Sequence, residues 1–161
     1  MRMAEPAKIS TEAEEVSDAA LRGFIGYHMK RAMAVLQADL NKALKPFGLR
    51  MVTYSALIMV VDNPGLRQSQ LADALAIERP NLVVILDELE NAGLITREKV
   101  PTDRRAWALN PTLKGRKVAK EATAANRADE ARLLQGLPEE ERARVIAVMN
   151  LIESGRGGAQ S

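Results

Sequence analysis

The sequence predicts a mainly α-helical domain carrying one small β-hairpin, and three observations lead there. Apolar residues recur at three- and four-residue steps through most of the chain, the mark of amphipathic helices. Two short helical segments in the middle are separated by a three-residue joint. Directly after them, "ITREKVPTDRRAWALN" alternates in character on both sides of a proline-containing turn, as a hairpin does.

At 161 residues, 47% of them hydrophobic, the chain can bury one modest core. The 23 basic and 21 acidic residues nearly cancel, so neither disorder nor a uniformly basic coat follows from the total. Their distribution is uneven. From Arg97 to Lys120 eight bases face two acids, whereas residues 1–20 lean acidic. With no cysteine and one histidine, a disulfide framework, thiolate chemistry and a His-rich metal site are excluded. No apolar run approaches a membrane span, and the acidic N-terminus lacks the basic and apolar regions of a signal peptide, so a cytoplasmic protein with no membrane partner is expected.

Taken in order, residues 1–16 read as a flexible lead-in, with Thr11 and Glu14, or Ser17, available to cap a helix. Leu21, Phe24, Ile25, His28, Ala32, Leu36, Leu40 and Leu44 then form the stripe of one long helix from about Ser17, ending near Pro46-Phe47-Gly48. A second apolar segment, Met51 to Val61, stops at Asn63-Pro64-Gly65. Ser69 is placed to cap "QLADALA", the chain turns at Ile77-Glu78-Arg79, and Pro80 opens "PNLVVILDELENAG", which Gly93 closes. Leu71 and Leu75 with Leu82, Ile85, Leu86 and Leu89 supply the facing apolar surfaces of a helix-turn-helix.

In the hairpin, Ile95, Arg97 and Lys99 share one face of the outgoing strand, and Arg105, Trp107 and Leu109 one face of the return. Trp107 is expected to pack the hairpin rather than stack on a ligand. Pro111-Thr112 starts an alanine-rich helix to about Leu134, and Leu137-Pro138 starts another with the stripe Val145, Val148, Met149 and Ile152. Residues 154–161 read as a flexible tail. A hairpin straight after a helix-turn-helix is a winged helix.

The run "GLITREKVPTDRRAWALNPTLKG" resembles the wing signature of the MarR (multiple antibiotic resistance regulator) family, matching it at Gly93, Leu94, Arg97, Pro101, Asp103, Arg104, Arg105, Thr112 and Gly115. The family's Leu-Thr pair is altered here to Pro111-Thr112. "LADALAIERPNLVVILDELENAGL" is similar to the family's helix-turn-helix, and the helix order agrees over residues 17–153. The resemblance implies a homodimer, with a DNA-binding lobe over about residues 51–112 flanked by dimerisation helices over about 17–46 and 113–153. It further implies two lobes reading a palindromic operator in double-stranded DNA, and a small organic effector that modulates binding.

With the second helix of the motif in the major groove, the wing tip reaches the neighbouring minor groove, where the potential is most negative. Arg105 is the candidate to enter it. Asp103 is placed to aim that guanidinium, Arg104 has the opposite strand parity and is assigned to phosphate or solvent, and Arg97 and Lys99 complete the wing's basic set. In the recognition helix Arg79, Pro80 and Asn81 occupy the first turn: Arg79 can donate to guanine or phosphate, Asn81 can read adenine, and Val84 can touch a thymine methyl. Relatives commonly carry Ser/Thr and basic residues where this chain has Val83, Val84 and Glu88. Arg67, Ser69 and Gln70 are expected on the DNA backbone.

By resemblance, Tyr27, His28, Arg31 and Tyr54 fall on segments lining the crevice between dimerisation helices and winged lobe. An imidazole, a phenol and a guanidinium beside apolar walls suit an aromatic acid or its CoA thioester. No nucleophile elbow or phosphate-binding loop is present, so neither catalysis nor a cofactor is expected. The expected function is a ligand-responsive, sequence-specific transcriptional regulator, a repressor released by its effector. A winged-helix module for protein contacts without specific DNA binding is the alternative; salt-dependent binding to duplex separates the two.

Overall fold

The computed structural model describes residues 16–100 and 103–157, apart from the side chains of residues 103–106, 156 and 157. Thr11 and Glu14, and the turn residues Pro101 and Thr102, lie outside the described residues. The chain divides into two compact units, one up to Ala34 and one from Val35 onward.

Helix α1 (Ile25–Leu44) starts well after Ser17, a correction to the sequence expectation. The Asp18 carbonyl accepts from the N–H groups of Leu21 (2.9 Å) and Arg22 (3.2 Å), and Ser17 Oγ accepts from Ala19 (3.4 Å), so this stretch closes as turns. Gly23 and Gly26 weaken helix propagation at the same place. On the expected stripe Leu44 is fully buried, whereas Leu21, Phe24 and Ile25 are exposed.

After a short 3-10 helix (Lys45–Phe47), α2 (Met51–Asp62) buries Thr53, Ala56, Leu57 and Val60. Thr53 Oγ1 accepts the Arg50 N–H at 3.0 Å and so caps α2. Leu66–Arg67 then forms strand β1, which the sequence did not reveal. Because the chain leaves β1 straight into α3 (Gln68–Ala74), the helix starts ahead of Ser69, which is therefore not its cap. The Gln70 side-chain oxygen takes that role, accepting the Arg67 N–H at 3.0 Å.

Helix α4 (Arg79–Asn91) buries Leu82, Ile85, Leu86 and Leu89 as expected, and Arg79 opens the helix instead of lying in the turn. The α4 C-terminus closes through paired bonds from Gly93 N to the Glu90 carbonyl (2.8 Å) and from Leu94 N to the Leu89 carbonyl (2.9 Å). That geometry needs a left-handed residue after the cap, and Gly93 supplies it at φ 70°. The joint between α3 and α4 contains a different case: Ala76 sits at φ 51°, where its Cβ is crowded. Ala76→Gly is therefore expected to stabilise the fold by about 1 kcal/mol, raising Tm by roughly 2–4 °C. An unchanged or lower Tm by calorimetry would show that the strain is already relieved by the neighbouring packing.

Strands β2 (Ile95–Val100) and β3 (Asp103–Pro111) form the hairpin, and the sheet order is β1-β3-β2, antiparallel throughout. Arg97 lies opposite Leu109 and Lys99 opposite Trp107, so the two expected faces are one face. Burial falls along it: Ile95 and Leu109 are in the core, Arg97 is half-buried and Lys99 exposed. An irregularity between Lys99 and Val100 shifts the register near the tip.

Helix α5 (Leu113–Leu133) is capped by Thr112, whose Oγ1 accepts from Gly115 N at 2.9 Å. Its Ala119 and Ala122 join the core that α2, α3, α4 and the sheet build. Helix α6 runs Glu139–Gly157, so Gly155, expected in the tail, is helical; one glycine costs a helix only about 1 kcal/mol. None of the side chains described on α6 is buried, and Ile146 and Leu151 are exposed beside the expected stripe.

Candidate nucleic-acid interface

Burying Leu82, Ile85, Leu86 and Leu89 turns the opposite edge of α4 outward, and Arg79, Pro80, Asn81, Val83 and Val84 are all exposed there. Val83 and Val84 are 45% and 56% exposed, two adjacent aliphatic side chains on the outward side of a helix that buries four others. Arg67, Ser69 and Gln70 are exposed at the start of α3. The expected contact residues of both helices are thus exposed, with the Gln70 side-chain oxygen engaged as the α3 cap.

The wing residues divide. Lys99 is exposed, with its ammonium 5.7 Å from the centre of the Trp107 ring, a cation–π contact that steadies a long, flexible side chain. Trp107 is 38% exposed and, with Gln68, Val83, Glu90 and Arg97, lines a cleft of about 420 Å³ where the wing meets α3 and α4.

Arg97, expected among the DNA contacts, has its guanidinium committed to carboxylates. It donates to Glu90 through Nε (2.8 Å) and Nη2, and Nη2 also lies 2.8 Å from Asp87. The hydrogen bond to Glu90, reinforced by Asp87, holds its pKa above the ordinary arginine value. Arg97 therefore braces β2 against α4. Two acids three residues apart on one helix face, followed within a turn and a strand by an arginine, were the available signal for this brace.

A second bridge was not anticipated: Arg50 Nη2, from the residue before α2, donates to both oxygens of Glu88 at 2.8 and 3.0 Å. The side chains of Asp103, Arg104 and Arg105 lie outside the described residues. Their backbone belongs to β3, where Asp103 pairs with Val100 across the turn.

In the N-terminal unit, Tyr27, His28 and Arg31 come together. Tyr27 donates its hydroxyl to Asp18 and accepts from Arg31 Nη1 at 3.3 Å, and its ring meets the His28 ring edge-on at 5.9 Å. His28 Nε2 lies 2.8 Å from the Arg22 carbonyl. The Tyr27 hydroxyl and the Arg22 guanidinium hold the Asp18 carboxyl below its ordinary pKa. Tyr54 belongs to the other unit, where it is half-buried and its hydroxyl bonds Thr123 Oγ1 at 3.0 Å. Among the described residues, no group of histidine and acidic side chains could hold a metal ion, and no single helix is long and apolar enough to cross a membrane.

Comparison with known proteins agrees with this arrangement. The MarR family profile matches residues 47–106, the stretch from the end of the 3-10 helix to the wing. The transcriptional repressor CouR, solved bound to a 23-mer DNA duplex, superposes with a TM-score of 0.82 at 33% identity, covering 86% of this chain and 99% of that one. CouR from Rhodococcus jostii RHA1 bound to p-coumaroyl-CoA gives 0.75 at 28% identity, over 84% and 95%. The HTH-type transcriptional repressor Rv2887 of Mycobacterium tuberculosis is 34% identical over 113 residues, 70% of this chain and 81% of that protein. With the winged helix-turn-helix in place and likeness of this extent, the chain belongs to the MarR family of transcriptional regulators.

Proposed function

We propose that this protein is a homodimeric repressor that holds a palindromic duplex and releases it on binding an aromatic acid or its CoA thioester. The observation that carries the reading is the outward edge of α4. Arg79, Asn81 and Val84 stand exposed beside the wing, in a fold like that of the DNA-bound CouR chain. In this reading residues 51–112 form the DNA-binding lobe. Arg79 and Asn81 enter the major groove, Val84 meets a thymine methyl, and Pro80 sets the first turn. Arg67, Ser69, Gln70 and Lys99 hold the backbone, Asp103, Arg104 and Arg105 form the tip, and Arg97 positions the wing without touching DNA.

Residues 17–46 and 113–153 make the dimer in this reading, supported by the exposed Ile146, Leu151 and Ile152 on α6. Tyr27, His28, Arg31 and Tyr54 are the proposed effector contacts. The protein reads a ligand without transforming it and works where its DNA is, in the cytoplasm.

The test uses a labelled duplex enriched from a random pool by the wild-type protein. Log affinity should fall linearly with log salt, as phosphate contacts require. Added p-coumaroyl-CoA should weaken binding, and a coupling of about 1–3 kcal/mol is expected. Failure to enrich any duplex, or an affinity indifferent to salt, would return the protein to a protein-contact role. Unchanged affinity with both p-coumaroyl-CoA and free aromatic acids would remove the effector alone.

A further inference from the structure

The second half of α4 carries three acids, Asp87, Glu88 and Glu90, on a helix that must approach a polyanion if the reading above holds. None of the three is left unpaired: Arg97 takes Asp87 and Glu90, and Arg50 takes Glu88. The two bridges differ in place. Arg97 is only 22% exposed where Arg50 is 50%, although Asp87 at 48% is as open as Glu88 at 46%. Glu88 also lies seven residues after Asn81 and four after Val84, so all three share one exposed stripe of the helix.

We infer that the Arg50–Glu88 bridge is a charge mask, in which Arg50 neutralises the carboxylate that shares the Asn81–Val84 stripe of α4. Arg50 is thereby an affinity-determining positioning residue, acting through Glu88 and not by its own grip on DNA. Both Glu88 oxygens accept from one guanidinium nitrogen, so the carboxylate is engaged on both its oxygens. Without Arg50, an exposed negative charge would stand on the stripe that meets phosphates, and like-charge juxtaposition at an interface is strongly unfavourable. The bridge adds little to folding, because exposed ion pairs contribute about 0–1 kcal/mol. The inference rests on α4 being the groove helix.

Three variants of the full-length protein decide it: Arg50→Gln, Glu88→Gln and the double substitution. Each is titrated by anisotropy against the duplex enriched by the wild type, with circular dichroism melts confirming that all remain folded. Arg50→Gln should weaken binding roughly tenfold at low salt, with the deficit shrinking as salt rises. Glu88→Gln should bind at least as tightly as wild type, and the double variant should match Glu88→Gln within about twofold. If the double variant stays as weak as Arg50→Gln, Arg50 contacts DNA itself and the mask is wrong. Should Glu88→Gln be as weak as Arg50→Gln, the bridge is a mechanical brace and the mask is equally wrong. Failure to enrich any duplex would overturn the DNA-binding reading and the mask together.

Discussion

Gly115→Ala is expected to destabilise the fold by about 3 kcal/mol, a large share of the roughly 5–15 kcal/mol that keeps a domain folded. A Cβ built at Gly115 would lie 2.0 Å from the Leu94 carbonyl oxygen and 2.9 Å from its carbon, closer than any tolerated contact. Both sides of that clash are backbone, so no side chain can rotate away. Nor can the backbone yield cheaply. The Leu94 carbonyl accepts the Thr112 N–H at 3.0 Å, and Thr112 Oγ1 in turn caps α5 by accepting from Gly115 N at 2.9 Å. Moving α5 away from the α4–β2 corner would break one or the other of these bonds and uncover Ala119 and Ala122. Gly155→Ala is the control, since a Cβ there meets nothing within 4 Å and replaces a poor helix former inside α6. Urea melts followed by circular dichroism should show a large drop in midpoint for Gly115→Ala and a small rise for Gly155→Ala. Equal midpoints for Gly115→Ala and wild type would mean that α5 does not pack against Leu94 as described.

The second large effect concerns binding. Arg105→Ala is expected to cost about 1–3 kcal/mol per contact, and about twice that in a symmetric dimer whose half-sites act independently. Arg105 is read as entering the minor groove because it stands at the wing tip, which reaches the groove beside the one that α4 enters. The fold should be untouched, since the tip lies beyond the core residues Ile95 and Leu109. Asp103→Ala should weaken binding less, because it frees the arginine's orientation without deleting its charge. Arg104→Ala should produce a smaller, sequence-independent loss and lower the salt slope by about 1. Fluorescence anisotropy on the enriched duplex measures all three, and equal affinities for wild type and Arg105→Ala would make the tip a solvated turn.

What could be read from the chain alone was what depends on neighbours a few residues apart. Leu82, Ile85, Leu86 and Leu89 announce the buried face of α4 by spacing, Gly93 its left-handed stop, and Thr112 the start of α5. The exposure of Asn81 and Val84 follows from the same periodicity, so most of the candidate interface was legible too. Tertiary structure decided everything that joins distant residues. Strand β1 is only two residues long, with no alternation of its own to betray it, and exists because β3 offers it an edge at Leu109 and Ala108. Its presence moved the start of α3 and passed the cap from Ser69 to Gln70. The charge of Arg97 is visible in the sequence, whereas its carboxylate partners on α4 appear only in the fold. Arg50 and Glu88 stand 38 positions apart, and only folding reveals that the acid on the recognition helix is neutralised. The contact between Gly115 and Leu94 belongs to the same class: local spacing governs hydrogen bonds and faces within an element, while charge pairing and close backbone approach are set where elements meet.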